Sequence, residues 1–489
     1  MYLKNKFKII IFIFIVISFL ILHKINNKNI TIKSVHETKK AYSMLLTDGS
    51  VISWGNKDYG GDSSSVAKEL LSGVKSIKSN FDQFAALKYD GSVITWGGRR
   101  EWDKVPLNII PHLKKNIKSV HSVNDAFSIL KNDGSVFAWG NGGNGGDINR
   151  PKEAAKFLGM GKVKNIYSSS EAFAALKEDG SVVSWGDDDI SGPLYWRIPE
   201  YINTNIKEII PANRAFTALK NDGSIFTWGE YDDYDKLKRF FKNFKSKVKT
   251  IYTNKYSYVA LTEAGSVFTW EIDYFNYDKR DLNYGHDSSK VADKIRSNVV
   301  KIFSNDYSYA ALKKNGSVVT WGVDEAGGDS SMFSNQLKNN VKSIYSTCCA
   351  FAALKNDGSV VSWGDITGEY SSHFYNNYNQ VKNKLTKNVK KIFSNKYSFA
   401  ALKKDGSVVT WGNIYKGADS SSLNKYLQKD VVNILTVEDA FFAFKKDGSV
   451  IIWGTSQFNK SFYPIASQIK SINEIDEMNP LQNLYYPRL

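Results

Sequence analysis

One stretch of sequence returns ten times along this chain. Its core is Asp-Gly-Ser-Val or a close copy, as in AFAALKNDGSVVSWGD (350–365), QFAALKYDGSVITWGG (83–98), AFAALKEDGSVVSWGD (172–187) and SFAALKKDGSVVTWGN (398–413). The core glycines run from Gly49 to Gly448 at intervals of 42 to 51 residues, and a Trp stands five residues after each. Ten of the 12 Trp fall in that slot, so the Trp belongs to the design of the unit. A period of this length marks stacked supersecondary units. It overrides the three or so domains that 489 residues would otherwise imply.

Each unit reads as strands. Asp-Gly between apolar runs is a hairpin signal, because the turn needs positive φ at the Gly. After the turn, Val361 and Trp363 point one way and Val360 and Ser362 the other. Both faces are largely dry, as in a strand held between two neighbours. Before the turn, Phe351 and Ala353 alternate with Ala352 and Leu354, and the small alanines leave room for a large ring from the adjacent unit. Upstream, VKSIYS (341–346) reads as a further strand, repeated as VKSIKS (74–79), VKNIYS (163–168) and VKKIFS (389–394). Between units, GGDSSSVAKELLSG (60–73) predicts a short helix with Asp and Ser at its N-cap, Leu70 and Leu71 inward and Gly73 as its stop.

Three strands plus a short helix or loop cannot bury both faces alone. Ten such units can, and a closed ring removes the exposed edges. The expected fold is therefore all-β, a β-propeller of about ten repeats. The alternatives are an open or spiral stack, or two subdomains parting at the sixth repeat. There TEAGSVFTWE carries Ala264 and Glu271 in place of Asp and Gly, and the insert IDYFNYDKRDLNYGH follows. The expected organisation is an N-terminal hydrophobic helix in 1–30, repeats over 31–457, and a tail or closing segment over 458–489.

IIIFIFIVISFLIL (9–22) is uncharged, with Lys4, Lys6 and Lys8 before it and Lys24 after. Fourteen residues of helix span about 21 Å, short of the roughly 30 Å hydrocarbon core. Snorkelling of Lys8 and Lys24 lets a slightly longer segment, 7–25, cross. No small-x-small cleavage site follows, so the reading is an uncleaved signal anchor with the bulk of the chain exported to the cell surface or periplasm. Secretion after cleavage is the alternative. The net charge of +16 permits an anionic partner, but Lys is dispersed through nearly every repeat, which favours a solvated surface over nucleic acid. Two adjacent cysteines, Cys348 and Cys349, exclude a disulfide framework and a Cys-based zinc site. No phosphate loop and no recurrent His or Lys partner for the GGDSS hydroxyls is present, so neither enzyme activity nor a cofactor or metal is expected.

ALKxDGSVxxWG followed by GGDSS resembles the regulator-of-chromosome-condensation (RCC) type of repeat, over about 34–457. The unit is shorter than the eukaryotic blade and is similar to the three-stranded blades of the bacterial β-lactamase-inhibitor propeller. GGDSS stands where that family has GQLG, the His before its AL is missing, and the relatives are seven-bladed. The resemblance implies a propeller that binds protein through loops at one end. One branch of the family exchanges guanine nucleotide on a small GTPase; none of that branch's residues maps onto this sequence, and GTPase regulation stands as the alternative function.

If the scaffold is invariant, information lies where the repeats differ. A two-residue slot ahead of each AFAAL strand reads Lys39-Lys40, Phe81-Asp82, Asn124-Asp125, Ser170-Glu171, Asn213-Arg214, Lys255-Tyr256, Asp306-Tyr307, Cys348-Cys349, Lys396-Tyr397 and Glu438-Asp439. A variable pair at one position of every blade makes a ring of side chains on one rim, mixing aromatics and both charge signs as a protein-contact surface does. The alternative is an unconstrained solvated turn. Trp102 and Trp196, the two Trp outside the repeat slot, are expected to pack under their own loops. In KLKRFFKNFKSKVK (236–249), Leu237, Phe240, Phe241, Phe244 and Val248 fall on one helical face, read as the repeat's own helix docking on its blade.

Overall fold

The computed structural model describes residues 32–150, 154–191, 204–229, 246–271, 283–365 and 377–454. Ten separate three-stranded antiparallel sheets occupy 32–55, 74–97, 117–140, 163–186, 206–229, 248–271, 299–322, 341–364, 389–412 and 431–454. We call them blades one to ten.

The local chemistry of one turn explains why each repeat folds alike. Asp90 accepts from the Ser92 backbone N–H at 2.8 Å and from its hydroxyl at 2.6 Å. The Lys88 N–H donates to the Ser92 carbonyl at 2.9 Å. Gly91 takes φ +79°, so the hairpin loop is three residues long and ends on a left-handed Gly. Where the Asp is lost, the turn is rescued. Thr262 accepts from the Ser266 N–H at 3.0 Å in blade six, and Asn315 from the Ser317 N–H at 3.0 Å in blade seven.

The alternation along the second strand sorts side chains between two neighbours. Ala350, Ala352 and Leu354 of blade eight share a core cluster with Phe399, Ala401 and Trp411 of blade nine. Phe351, Ala353, Val361 and Trp363 share another with Ala310 and Leu312 of blade seven. The small alanines make the room the sequence predicted. Within each blade the second-strand ring stacks on the Trp with centroids 5.2 to 5.5 Å apart. In several blades the preceding loop then locks onto that pair. Trp96 Nε1 donates to the Gly60 carbonyl at 3.1 Å, Trp363 to Gly327 at 3.1 Å and Trp453 to Gly417 at 2.9 Å. A Cβ on Gly60 would lie 2.6 Å from the Phe84 ring, which is why the first Gly of GGDSS is needed.

The same face-to-face pattern joins the last blade to the first. Ala440, Phe442, Val450 and Ile452 form one cluster with Met44, Leu46 and Trp54, and the Glu438 N–H donates to the Glu37 carboxylate at 3.3 Å. Blade ten thus offers blade one the face that every blade offers its successor. Among the described residues no strand is shared between the two sheets; side-chain packing and the Glu438–Glu37 hydrogen bond join them. This seam is also bulkier, with Phe442 and Met44 at the positions that Ala352 and Ala401 hold between blades eight and nine. The sixth repeat is not a parting point. Tyr258 and Trp270 pack on blade five, and Val259 and Leu261 on blade seven.

Three local expectations are corrected. Leu71 is exposed, because the segment forms only a 3-10 turn at Ser64–Val66 and has one inward position, filled by Leu70. Val248 opens a strand, Val248–Thr253, and so lies on no helical face. Trp102 is 46% exposed, with the Arg100 guanidinium 5.3 Å from its ring. The apolar run 9–22, residues 236–245, Trp196 and the tail 458–489 lie outside the described residues. Among the described residues no helix is long and apolar enough to cross a membrane.

Candidate functional site

The slots lie where the first strand hands over to the second. An Asn sets the turn in several blades: Asn80 accepts from the N–H groups of Asp82 at 2.9 Å and Gln83 at 2.7 Å, and Asn254, Asn305 and Asn395 do the same. The first residue of one slot then donates its backbone N–H to the first residue of the next. Lys39 donates to Phe81 at 2.9 Å, Phe81 to Asn124 at 2.9 Å, Asn124 to Ser170 at 2.7 Å and Ser170 to Asn213 at 3.0 Å. The series resumes from Lys255 to Asp306, Cys348, Lys396 and Glu438. These bonds string the slots along one rim in two runs, Lys39 to Asn213 and Lys255 to Glu438.

Side chains couple the same neighbours. Arg100 bridges the carboxylates of Asp82 and Asp125 at 2.7 and 2.9 Å. Arg214 pairs with Glu171 at 2.6 Å, Lys255 with Asp306 at 2.6 Å and Lys396 with Glu438 at 2.5 Å. The Lys39 ammonium lies 3.6 Å from the centroid of the Phe81 ring. Asn213 and Asp439 are both half-buried. The slot residues are therefore not an unconstrained turn; each is matched to the blade beside it.

Three of the residues expected at a contact surface are instead buried: Asp82, Cys348 and Cys349 are 1%, 7% and 2% exposed. Burial raises the Asp82 pKa, with Arg100 opposing that rise. Cys348 and Cys349 are free thiols beneath Tyr284, Tyr307 and Tyr397, beside Val323 and Ala326. The Cys349 thiol is pushed far up by its hydrogen bond to Cys348 and by burial, the opposite of an activated thiolate. The cysteines fill space under an aromatic sector. In that sector Tyr256 stacks on Tyr284 at 4.5 Å and on Tyr307 at 5.7 Å. Tyr397 lies under Lys396 at 5.4 Å and Lys416 at 5.2 Å, and Tyr415 is exposed.

Sequence reasoning pointed to the variable loop 97–106 that carries Arg99 and Arg100 but missed Tyr284 and Glu37 as rim residues. They lie in loops or strand ends that join the slots only on folding. A cavity of about 160 Å³ lined by Gly97, Gly98, Arg100 and Asp103 sits beside the second slot. It is smaller than the roughly 300–1,000 Å³ of small-molecule sites. Among the described residues no three His, Cys, Asp or Glu groups come together as a metal site would require.

No family model and no curated protein matches the chain. Among solved structures it is similar to Prp20p of Saccharomyces cerevisiae, reported with its binding to Gsp1p and histones: 21% identity, TM-score 0.31, covering 49% of this chain and 72% of that one. It is also similar to the ectodomain of the Physcomitrella patens receptor kinase CR4, at 15% identity and TM-score 0.31 over 60% of this chain and 74% of that one. Human WBSCR16 gives 14% identity and TM-score 0.31 over 63% and 80%. Those scores carry no argument about what the chain does. The repeated motif and the blade built from it define its architecture: ten three-stranded antiparallel blades made from one repeat that resembles the RCC type.

Proposed function

We propose that the chain is a scaffold that binds another protein through the slot-bearing rim, tethered to a membrane by the run 9–22 with the ring exported. The observation that carries the binding reading is the sector from Tyr256 to Tyr397, with its stacked tyrosines and the flanking charges of Lys255, Asp306 and Lys396. Tyrosines held rigid by neighbours, beside charges of both signs, are what energetic anchors of interfaces consist of. The test is site-directed photocrosslinking of the full chain in its own cells, with the probe replacing Tyr415 on this rim or Asn132 in the opposite turns. The reading expects one protein captured from position 415 and absent from position 132, and that capture lost in Tyr256→Ser/Tyr397→Ser. Equal capture from both positions refutes it. Protease cleavage of the ring on intact cells tests export; full protection would overturn that part.

A further inference from the structure

Each blade's first strand carries a β-bulge at its second residue. The register against the second strand slips between Ile32 and Ser34, between Val74 and Ser76, and at the same place in every other blade. The bulged residue leaves the ladder and is exposed in all ten blades. It is Lys in eight of them, Lys33, Lys118 and Lys342 among these, and Val300 and Val432 in the other two.

Cα atoms of neighbouring first strands approach within 8 Å around the ring. The Lys33 ammonium donates to the Lys75 carbonyl and the Lys118 ammonium to the Lys164 carbonyl, each at 2.8 Å. The bulges therefore stand next to one another, and cations 42 or more residues apart in sequence gather in a circle. The fold does not require them, since Val fills the same bulge in blades seven and ten with 47% exposure. Other lysines are committed to their own blade: Lys88 donates to the carbonyl of Glu69 at 2.8 Å and Lys403 to that of Lys384 at 3.2 Å, where the short helical segments end.

The bulge end of the first strand is the Asp-Gly end of the blade, opposite the slots: the Val74 N–H donates to the Gly49 carbonyl at 2.9 Å and the Val341 N–H to Gly316 at 3.0 Å. The chain also enters the ring here, since Ile32 begins the first strand and Lys33 is its bulge. The run 9–22 ends ten residues earlier. Ten residues reach at most about 36 Å, so this face is held beside whatever holds that run.

We propose that the Asp-Gly face of the ring lies against an anionic bilayer, with the circle of bulge lysines as its lipid-headgroup contact. The inference rests on the anchor reading of 9–22. A lysine near such a surface strengthens attachment about fivefold, and the attraction fades within about a Debye length, roughly 10 Å at 0.1 M salt. Single-stranded nucleic acid would also be drawn to the circle; the short tether decides for the bilayer.

The test reconstitutes the full chain into vesicles of phosphatidylcholine alone or mixed with phosphatidylglycerol. A fluorophore goes on Asn132→Cys in the Asp-Gly turns, and a headgroup-bound quencher reports contact; both native thiols are buried. Quenching is expected only with phosphatidylglycerol and is expected to vanish in high salt. The docked-to-undocked ratio should fall roughly a hundredfold in Lys33→Gln/Lys118→Gln/Lys342→Gln and rise in Val300→Lys/Val432→Lys. Flotation with both vesicle types without quenching in either keeps the anchor and overturns the docking face. Flotation only with phosphatidylglycerol, salt-sensitive and lost in the triple variant, removes the anchor and leaves the lysine contact. A triple variant that unfolds more easily yet is quenched as before shows the lysines to be structural and overturns the proposal. So does an oligonucleotide bound more tightly than the vesicles at equal salt.

Discussion

Glu37 makes the seam between the last and first blades sensitive to pH. Its carboxylate accepts from the Glu438 N–H, yet its pKa is pushed up from 4.5 to about 7, chiefly by burial and then by the Glu438 charge. Asp439 adds to the rise, and Lys396 and the hydrogen bond oppose it. Below pH 4.5 the closed and opened seams are both protonated and Glu37 favours neither. As pH rises from 4.5 to 7 the opened form ionises first, so closure weakens; above 7 the loss is complete. A shift from 4.5 to about 7 sets a ceiling of about 3.4 kcal/mol, and partial solvation of the half-buried side chain reduces this to about 2 kcal/mol. Global melting of so large a ring dilutes such an effect, whereas local opening reports it directly. The assay is hydrogen exchange read by mass spectrometry on peptides covering 32–46 and 431–445, corrected for intrinsic rates, with the interface of blades eight and nine as internal control. Because part of the loss is already complete at pH 5, protection of the seam should be roughly tenfold higher near pH 5 than near pH 8. Glu37→Gln should hold the higher protection at both. Seam protection that ignores pH, or a Gln variant that opens like the parent near pH 8, refutes the reasoning.

Two further perturbations address the packing. Phe442→Ala removes the large ring from the closing cluster and should cost about 3–5 kcal/mol of seam stability, seen as faster exchange in blades one and ten with blades four to seven unchanged. Gly327→Ala would place a Cβ 2.9 Å from the Phe351 ring at φ +89°, and should displace the loop and loosen the Trp363 hydrogen bond. A loss of about 1–3 kcal/mol in urea, with a red-shifted Trp emission, is the expected result.

The blade was legible because its causes are local. The Asp-Gly-Ser turn, the alternation of Phe351 and Ala353 against Ala352 and Leu354, and the Trp all act within a few residues, and repetition printed them ten times. The short helix was over-read, since Leu70 and Leu71 look alike in sequence and only one inward position exists. The rim was legible as a place but not as a set of contacts. Lys396 and Glu438, or Arg100 and Asp125, meet only because blades are neighbours, and the burial of Cys348 and Cys349 depends on tyrosines from other blades. The lysine circle was invisible for the same reason. A cation every 42 or so residues reads as ordinary solvated surface until the bulges align it.

A ring in which each unit presents the same two faces to its neighbours has no intrinsic count. The apolar faces would let any blade from two to nine be copied or deleted, provided the Phe442–Met44 seam survives, while rim pairs such as Arg214–Glu171 and Lys255–Asp306 would have to be remade. Near-identical neighbouring repeats are then the natural record of growth by duplication. Blade number becomes a quantity that unequal recombination can change in one step, and with it the circumference of the rim and the order of side chains presented around it.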